Sequence, residues 1–414
     1  MDVIIERCAG LDVHKRTVAA CVRSPGAGRT RRRSETKTFG TFEHELAELR
    51  SWLVAEGVTA VAMEATGVYW KPIWYALEAD FDLLLVNATH VKKVPGRKTD
   101  VADAEWLARL LECGLLRGSF VPPEPIRDLR DLTRYRKRLI QDRGRESQRL
   151  EKVLEDAGIK LAAVATSTLG VSVRAMLDAL IAGERNPEAL AELAKGRLRG
   201  KLPQLRLALS PTRFRPHHAL MLAEHLAHID HLSASINRLD ERIDEVIAPF
   251  ADARDRLMTI PAVAKTAAEV IIAECGVDMA RFPTAAHLAS WAGMCPGNNE
   301  SAGKHRSGHT SGGDPWLAGL LTECGWAARY TKDTYLAAHF WNIARRRGPK
   351  RASIAAGHTI LVIAWHILST PGLTYEELGG DYFTRRLDPD VRQRRLVHQL
   401  EAMGLRVTIE PAAA

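Results

Sequence analysis

Residues 8–23 read CAGLDVHKRTVAACVR, and this stretch decides the fold expected for the first third of the chain. Two apolar runs, Ala9–Val13 and Thr17–Arg23, flank the polar turn VHKR, the pattern of two strands joined by a tight hairpin. Thr36–Gly40 supplies a third strand. Downstream the periodicity changes. Phe42–Glu56 has helical spacing with Leu46, Leu49 and Leu53 on one face, and VTAVAM (58–63) is a short β-rich run. Trp70–Glu78 reads as a helix and FDLLLV (81–86) as a buried strand. GRKTDVADAEWLARLL (96–111) opens a further amphipathic helix. Three leading strands followed by alternating helices and strands predict a mixed sheet covered by helices. The VPPEP at 121–125 ends that domain.

At 414 residues, two or three domains are expected, and 46% hydrophobic with 26% charged residues is a globular composition. The formal charge of +8 and a pI near 9.2 favour an anionic partner, nucleic acid first. Between Arg281 and Arg351 ten Lys or Arg face four Asp or Glu, so much of the excess falls in one segment. The six cysteines (8, 21, 113, 275, 295 and 324) form no C-x-x-C pair, which argues for a reducing compartment and against structural zinc. The opening MDVIIERCAG has no signal-peptide core, and the apolar run TILVIAWHIL (359–368) is shorter than a bilayer span. A soluble cytoplasmic protein with no membrane partner is expected.

From Ile126 to about Phe250 strand signals disappear. Ile126–Ala157 reads as a long helix dense in arginine. Pro216–Phe250 carries Leu220, Leu222, Leu226, Ile229, Leu232, Ile236, Leu239, Ile243 and Ile247 mostly at three- and four-residue steps, which suits a coiled-coil seam. Self-association through this arm is expected, with an intramolecular hairpin as the alternative. Beyond Asp255 the chain is mostly helical apart from PGNNESAGKHRSGHTSGGDP (296–315).

Acidic residues end two of the apolar runs: Asp12 in CAGLDVHK and Glu64 in VAMEATG. Strands that stop together can project both carboxylates from one sheet edge. A helix starting at Asp100 and packed there would add Asp100 and Asp103, because i and i+3 share a face. Capping by Thr99 and the helix dipole account for one aspartate. Two on one face, just after Arg97 and Lys98, ask for more. Crowded carboxylates repel one another and need divalent cations, and an oxygen-rich set suits Mg2+ or Mn2+. Two such ions around a scissile phosphate activate the attacking oxygen and stabilise the leaving one.

The second constellation is WAGMCPGNNESAGKHRSGHTSGGDPWL (291–317). Its glycines let backbone approach a phosphate, Lys304 and Arg306 balance its charge, and Ser301, Ser307 and Ser311 offer hydroxyls. An unactivated serine is a weak nucleophile, so the residues alone leave an ordinary surface loop open.

GLDVHK, MEATGVYW and GRKTDVADAEWLARLL, in that order and spacing, resemble the DEDD transposases of insertion-sequence family 110. The resemblance implies an α/β RNase H-like (RuvC-type) domain over 1–120, a long helical coiled-coil arm over 121–252 and a mostly α-helical C-terminal domain over 253–414. It implies that Asp12, Glu64, Asp100 and Asp103 are metal-binding acids, with Arg97 and Lys98 meeting phosphate. The 291–317 stretch looks like the family's C-terminal transposase domain, whose catalytic serine attacks DNA. Ser301 matches that position, with Ser307 the fallback. The likeness continues through Ala352–Ile367 and DYFTRR (381–386). It further implies donor and target DNA, a structured bridge RNA as guide, and a dimer assembling to a tetramer.

LMTIPAVAKTAAEVIIAECG (257–276) resembles a helix-hairpin-helix, with Ala262 and Ala264 where hairpin glycines usually stand. Nucleic-acid contacts are expected from RTRRR (29–33), the arginine-rich face of 127–149, Lys304, Arg306, and Arg345, Arg346, Arg347, Lys350 and Arg351. Trp291, Trp316, Trp326 and Tyr330 lie among these charges as core or base-stacking residues. Two rival functions remain: a junction-resolving nuclease that uses water, and a nucleic-acid-binding protein without catalysis.

Overall fold

The computed structural model describes residues 3–409 except 27–31, 66, 88–101, 211–212, 298, 302, 308–309, 311 and 387–388. Arg97, Lys98, Asp100 and Ser311 therefore lie outside the described residues. The chain divides into two compact units, Met1–Val121 and Pro122–Ala414.

The first unit is built on a five-stranded mixed sheet: β1 (Cys8–Val13), β2 (Thr17–Pro25), β3 (Arg32–Gly40), β4 (Ala60–Glu64) and β5 (Asp82–Val86), in the order β3-β2-β1-β4-β5. The first three strands pair antiparallel, and β4 and β5 join parallel to β1. Side-chain alternation gives the sheet two apolar faces. Ala9, Leu11, Val13, Val61 and Met63 pack with Leu46, Leu49 and Leu53 of α1 (Glu43–Ala55) and Ile73 and Leu77 of α2 (Trp70–Leu77). On the other face Cys8, Ala60, Ala62 and Val86 pack with Leu107, Leu110 and Leu111 of α3 (Ala102–Glu112). Full burial of each such leucine stabilises by roughly 2 kcal/mol before conformational entropy is counted.

Gly10 sets how closely α3 rests on β1. A Cβ there would stand 2.3 Å from the Ala104 carbonyl oxygen and 2.4 Å from the Ala108 nitrogen, so helix and strand meet backbone to backbone. Cys8 donates its thiol to the Ala108 carbonyl at 3.4 Å. Burial first, and then Glu112, pushes that thiol up to about 12. It is a neutral packing group.

In the second unit α4 (Glu124–Asp156) and α5 (Pro216–Ile247) form an antiparallel pair. Its direction is fixed by cross-links at Arg136–Asp240 (2.8 Å), Arg143–Ser233 (3.3 Å) and Asp156–His218 (2.9 Å). The apolar seam of α5 is used inside the chain. Leu232 and Ile236 pack on Leu139, while Leu222, Leu226 and Ile229 join Leu150, Leu154 and the short helices between Leu161 and Ala208. The seam read as a route to self-association is thus occupied by an intramolecular hairpin, because α4 presents a matching stripe of its own.

The arginine-rich face of α4 is likewise turned inward over much of its length. Arg136 is 4% exposed and bonds Glu269 at 2.8 Å. Arg134 makes two hydrogen bonds, 2.8 and 2.7 Å, to the fully buried Glu274. Arg130 donates to the Glu274 carbonyl at 2.6 Å. Burial pushes the Glu274 carboxyl up, against the pull of its arginine partners. These charges hold α4 to α7 (Lys265–Cys275) and are not a free phosphate-binding face. Before α7, after α6 (Ala251–Leu257), Ala262 adopts φ +70°. The left-handed hairpin residue is present without glycine, at a backbone cost of about 1–2 kcal/mol.

The remainder is a helical bundle of α8 (Ala285–Trp291), α9 (Pro315–Ala328), α10 (Tyr335–Arg347) and α11 (Pro349–Ser369). At 21 residues α11 has the length and apolarity of a membrane span, but half of its apolar window is buried in the bundle. Gly325 and Gly357 let α9 and α11 cross closely; a Cβ at Gly357 would stand 2.5 Å from the Leu321 carbonyl oxygen.

Gly10→Ala is expected to cost about 1–3 kcal/mol by overpacking the β1–α3 contact. Urea unfolding of the purified protein measures it, and an unchanged midpoint contradicts the close approach.

Candidate functional site

The acidic edge follows from strand register. β1 and β4 run parallel with Leu11 opposite Met63, so Asp12 and Glu64 are the next residues across on neighbouring strands, which lie about 4.8 Å apart. By the two-residue period of the sheet, Asp12 shares its face with Cys8 and Gly10, and Glu64 with Ala60 and Ala62. That is the face α3 covers. Both acids are half-buried at the carboxyl ends of their strands.

The direction of α3 supplies the third acid. Cys8 meets Ala108, while Gly10, two residues nearer Asp12, lies under Ala104 and Ala108. The helix therefore runs antiparallel to β1, and its half-buried first-turn residue Asp103 approaches the end that carries Asp12. Among the described residues no three of His, Cys, Asp and Glu stand together as an enclosed metal site. The available donors are carboxylate oxygens, the chemistry of a hard divalent cation. One neighbour was not singled out in the sequence: His14, whose Nε2 lies 3.1 Å from an Asp12 carboxylate oxygen. The signal was its place two residues on, in the turn that the His14 amide closes by donating to the Thr17 carbonyl at 2.9 Å.

Ser301 occupies a different structure. The polar stretch contains a small hairpin, β6 (Asn299–Ser301) and β7 (Lys304–Ser307), in which Ser301 pairs with Lys304 and Asn299 with Ser307. Gly303, at φ +75°, supplies the left-handed residue of its turn. Ser301 is therefore the last paired residue before the tip, opposite the exposed Lys304, and Ser307 sits at the base. Pro296 and Thr310 pair below the hairpin.

The neck of this loop is closed by a second backbone contact. A Cβ on Gly313 would stand 2.2 Å from the Gly293 nitrogen and 2.4 Å from the Ala292 carbonyl carbon. Asp314 then caps α9, accepting from the Trp316 and Leu317 amides at 2.9 Å each, and pairs with Arg134 at 3.1 Å. The loop leaves and returns through one fixed point anchored on α4.

Arg345, Arg346 and Arg347 end α10, and Lys350 and Arg351 begin α11, all exposed around Gly348 at φ +82°. The three arginines suit the negative end of the α10 dipole, and the corner gathers five cations. Trp291, Trp316 and Trp326 are half-buried, whereas Tyr330 is exposed. Arg134 and Arg138 lie 5.6 and 5.5 Å from the Trp316 ring centroid, so that indole is part of the α4–α9 contact.

Gly313→Ala is expected to shift the Ser301 hairpin. A crystal structure of the variant measures this; a hairpin that stays in place would show that the neck does not position it.

Comparison with known proteins agrees with both regions. The DEDD transposase family of the IS110 type matches residues 9–159, and the transposase IS116/IS110/IS902 family matches residues 254–342. The first match spans Asp12, Glu64 and Asp103, and the second spans the Ser301 hairpin and the α9–α10 turn. A Sinorhizobium fredii (strain NBRC 101917 / NGR234) protein named "Putative transposase y4pF/y4sB" is 25% identical over 332 residues, covering 78% of this chain and 76% of its own length. The chain belongs to the IS110 family of transposases, enzymes that act on DNA.

Proposed function

We propose that the chain excises and integrates an insertion sequence by serine attack on DNA, with the acidic edge of the first unit assisting. The observation that carries this reading is the matched register of Asp12 and Glu64 on the face that α3 approaches with Asp103. Asp100, in the same sequence motif, completes the acidic set. These four acids would hold a divalent ion, Mg2+ in the first instance, which would supply positive charge at the scissile phosphate.

Ser301 Oγ attacks phosphorus. The Oγ–P bond forms as the bond from phosphorus to the leaving strand breaks. The proton lost from Oγ is balanced by the one taken up on the leaving oxygen, which becomes a free hydroxyl. Attack by a second strand's hydroxyl reverses these changes and releases Ser301. Lys304, paired with Ser301 across the hairpin, and Arg306 are assigned to the phosphate, as are Arg97 and Lys98. His14 orients the Asp12 carboxylate.

Asp12 and Ser301 lie in separate units, so catalysis requires both at one phosphate, within one chain or between copies. We assign a dimer, assembling to a tetramer, to that requirement. With the α5 seam filled by α4, copies would associate through other faces. A structured guide RNA belongs to the same reading, supported by the cationic corner at Arg345–Arg351.

Purified protein incubated with junction DNA, flanking RNA and Mg2+, then run on a denaturing gel, tests the proposal. A protein-linked DNA band is expected from the wild type and is lost in both Ser301→Ala and Asp103→Ala. Cleavage without an adduct, indifferent to Ser301, would instead make this a nuclease that uses water.

A further inference from the structure

Two aromatic rings stand partly or largely in solvent at this corner: Tyr330, in the turn between α9 and α10, and Trp341, on α10, whose ring also meets Phe340 edge-on at 5.4 Å. Tyr330 is 72% exposed and Trp341 is 46% exposed. The aromatic packing of this corner is already supplied by Phe340, which is fully buried, and Trp326, whose ring lies 5.9 Å from it. Tyr330 and Trp341 are each held against Arg329. The Arg329 guanidinium lies 4.7 Å from the Trp326 ring centroid and 4.4 Å from that of Tyr330. The Trp341 indole N–H donates to the Arg329 carbonyl at 3.3 Å, which sets its ring beside the Arg329–Tyr330 step.

Charge identifies what covers these rings. Between Trp326 and Arg351 stand seven Lys or Arg and a single acid, Asp333. Trp341 and Arg345 are four residues apart on α10 and share a face. Flat rings with guanidinium groups beside them, in a strongly cationic segment, match an unpaired base and its phosphates. Duplex DNA offers phosphates but keeps its base faces stacked. An acidic peptide would use the cations and leave the rings idle.

We propose that Tyr330 and Trp341, braced by Arg329, form a stacking platform for unpaired bases of a single-stranded nucleic acid whose phosphates meet Arg345 and its neighbours. This rests on the reading of the chain as a nucleic-acid enzyme and is independent of the role of Ser301. Stacking on an aromatic side chain tolerates any base, so the platform selects strand state over sequence.

Fluorescence anisotropy with the full-length protein at one fixed salt concentration tests it. The probes are a labelled single strand as DNA and as RNA, the same sequence as a duplex, and a single strand carrying abasic sites. Tyr330→Ala and Trp341→Ala are each expected to weaken single-strand binding by roughly 5- to 100-fold. Tyr330→Phe and Trp341→Phe should recover most of that loss. Duplex binding should be unchanged, and the abasic strand should bind wild type as weakly as the intact strand binds the alanine variants. A loss on both sugars makes the platform sugar-blind; a loss on one assigns it to that strand. If Trp341→Ala fails to fold, Tyr330→Ala carries the test, since that side chain is largely in solvent.

Equal losses on single strand and duplex, or no loss on either, overturn the platform while leaving nucleic-acid binding intact. Wild-type protein that binds none of the probes would remove the nucleic-acid reading as well.

Discussion

The missing side chain at Gly10 is the constraint on which the first unit depends. Because nothing projects from β1 there, α3 lies backbone to backbone on the strand. That contact and the Cys8–Ala108 hydrogen bond fix the height and direction of the helix. Asp12 and Glu64 need only the parallel register of β1 and β4 to stand side by side. Asp103 needs more. It comes to them only if the helix runs antiparallel to β1 and close to it. A single added methyl would push its first turn away from the strand ends.

The second unit solves the same problem with charge and a pinched neck. Ser301 sits on a two-stranded hairpin with no core of its own, so its position depends on where the loop is tied down. Gly313 crossing Gly293 closes the neck, and Asp314 ties it to α9 through two amides and to α4 through Arg134. Arg134 is itself held by the buried Glu274. Removing one partner of such a buried pair costs several kcal/mol, because the other charge is left without compensation. The charges of α4 that resembled a nucleic-acid surface are thus the anchor of the serine loop.

Much of this was legible in the sequence because it is local. Strand alternation and the acids at the strand ends are written in consecutive residues. The hairpin at Ser301 was not, because its short strands carry no apolar alternation and its turn depends on Gly303. The destination of the α4 arginines was hidden for a different reason. Arg134 and Glu274 are separated by 140 positions, and a buried ion pair leaves the same local composition as a solvated basic face. The apolar stripe of α5 was legible, but whether a second copy or an intramolecular hairpin covers it was not decided by the sequence, since the matching stripe on α4 is diluted by arginines. Trp341 was passed over because exposure, not residue type, distinguishes it from Phe340 beside it.

Anomalous diffraction from crystals soaked in Mn2+ tests whether α3 delivers Asp103 to the strand ends as a metal ligand. A manganese peak held jointly by Asp12, Glu64 and Asp103 is expected, absent in Asp12→Ala crystals. A peak that leaves Asp103 uncoordinated, or none at that edge, would contradict it.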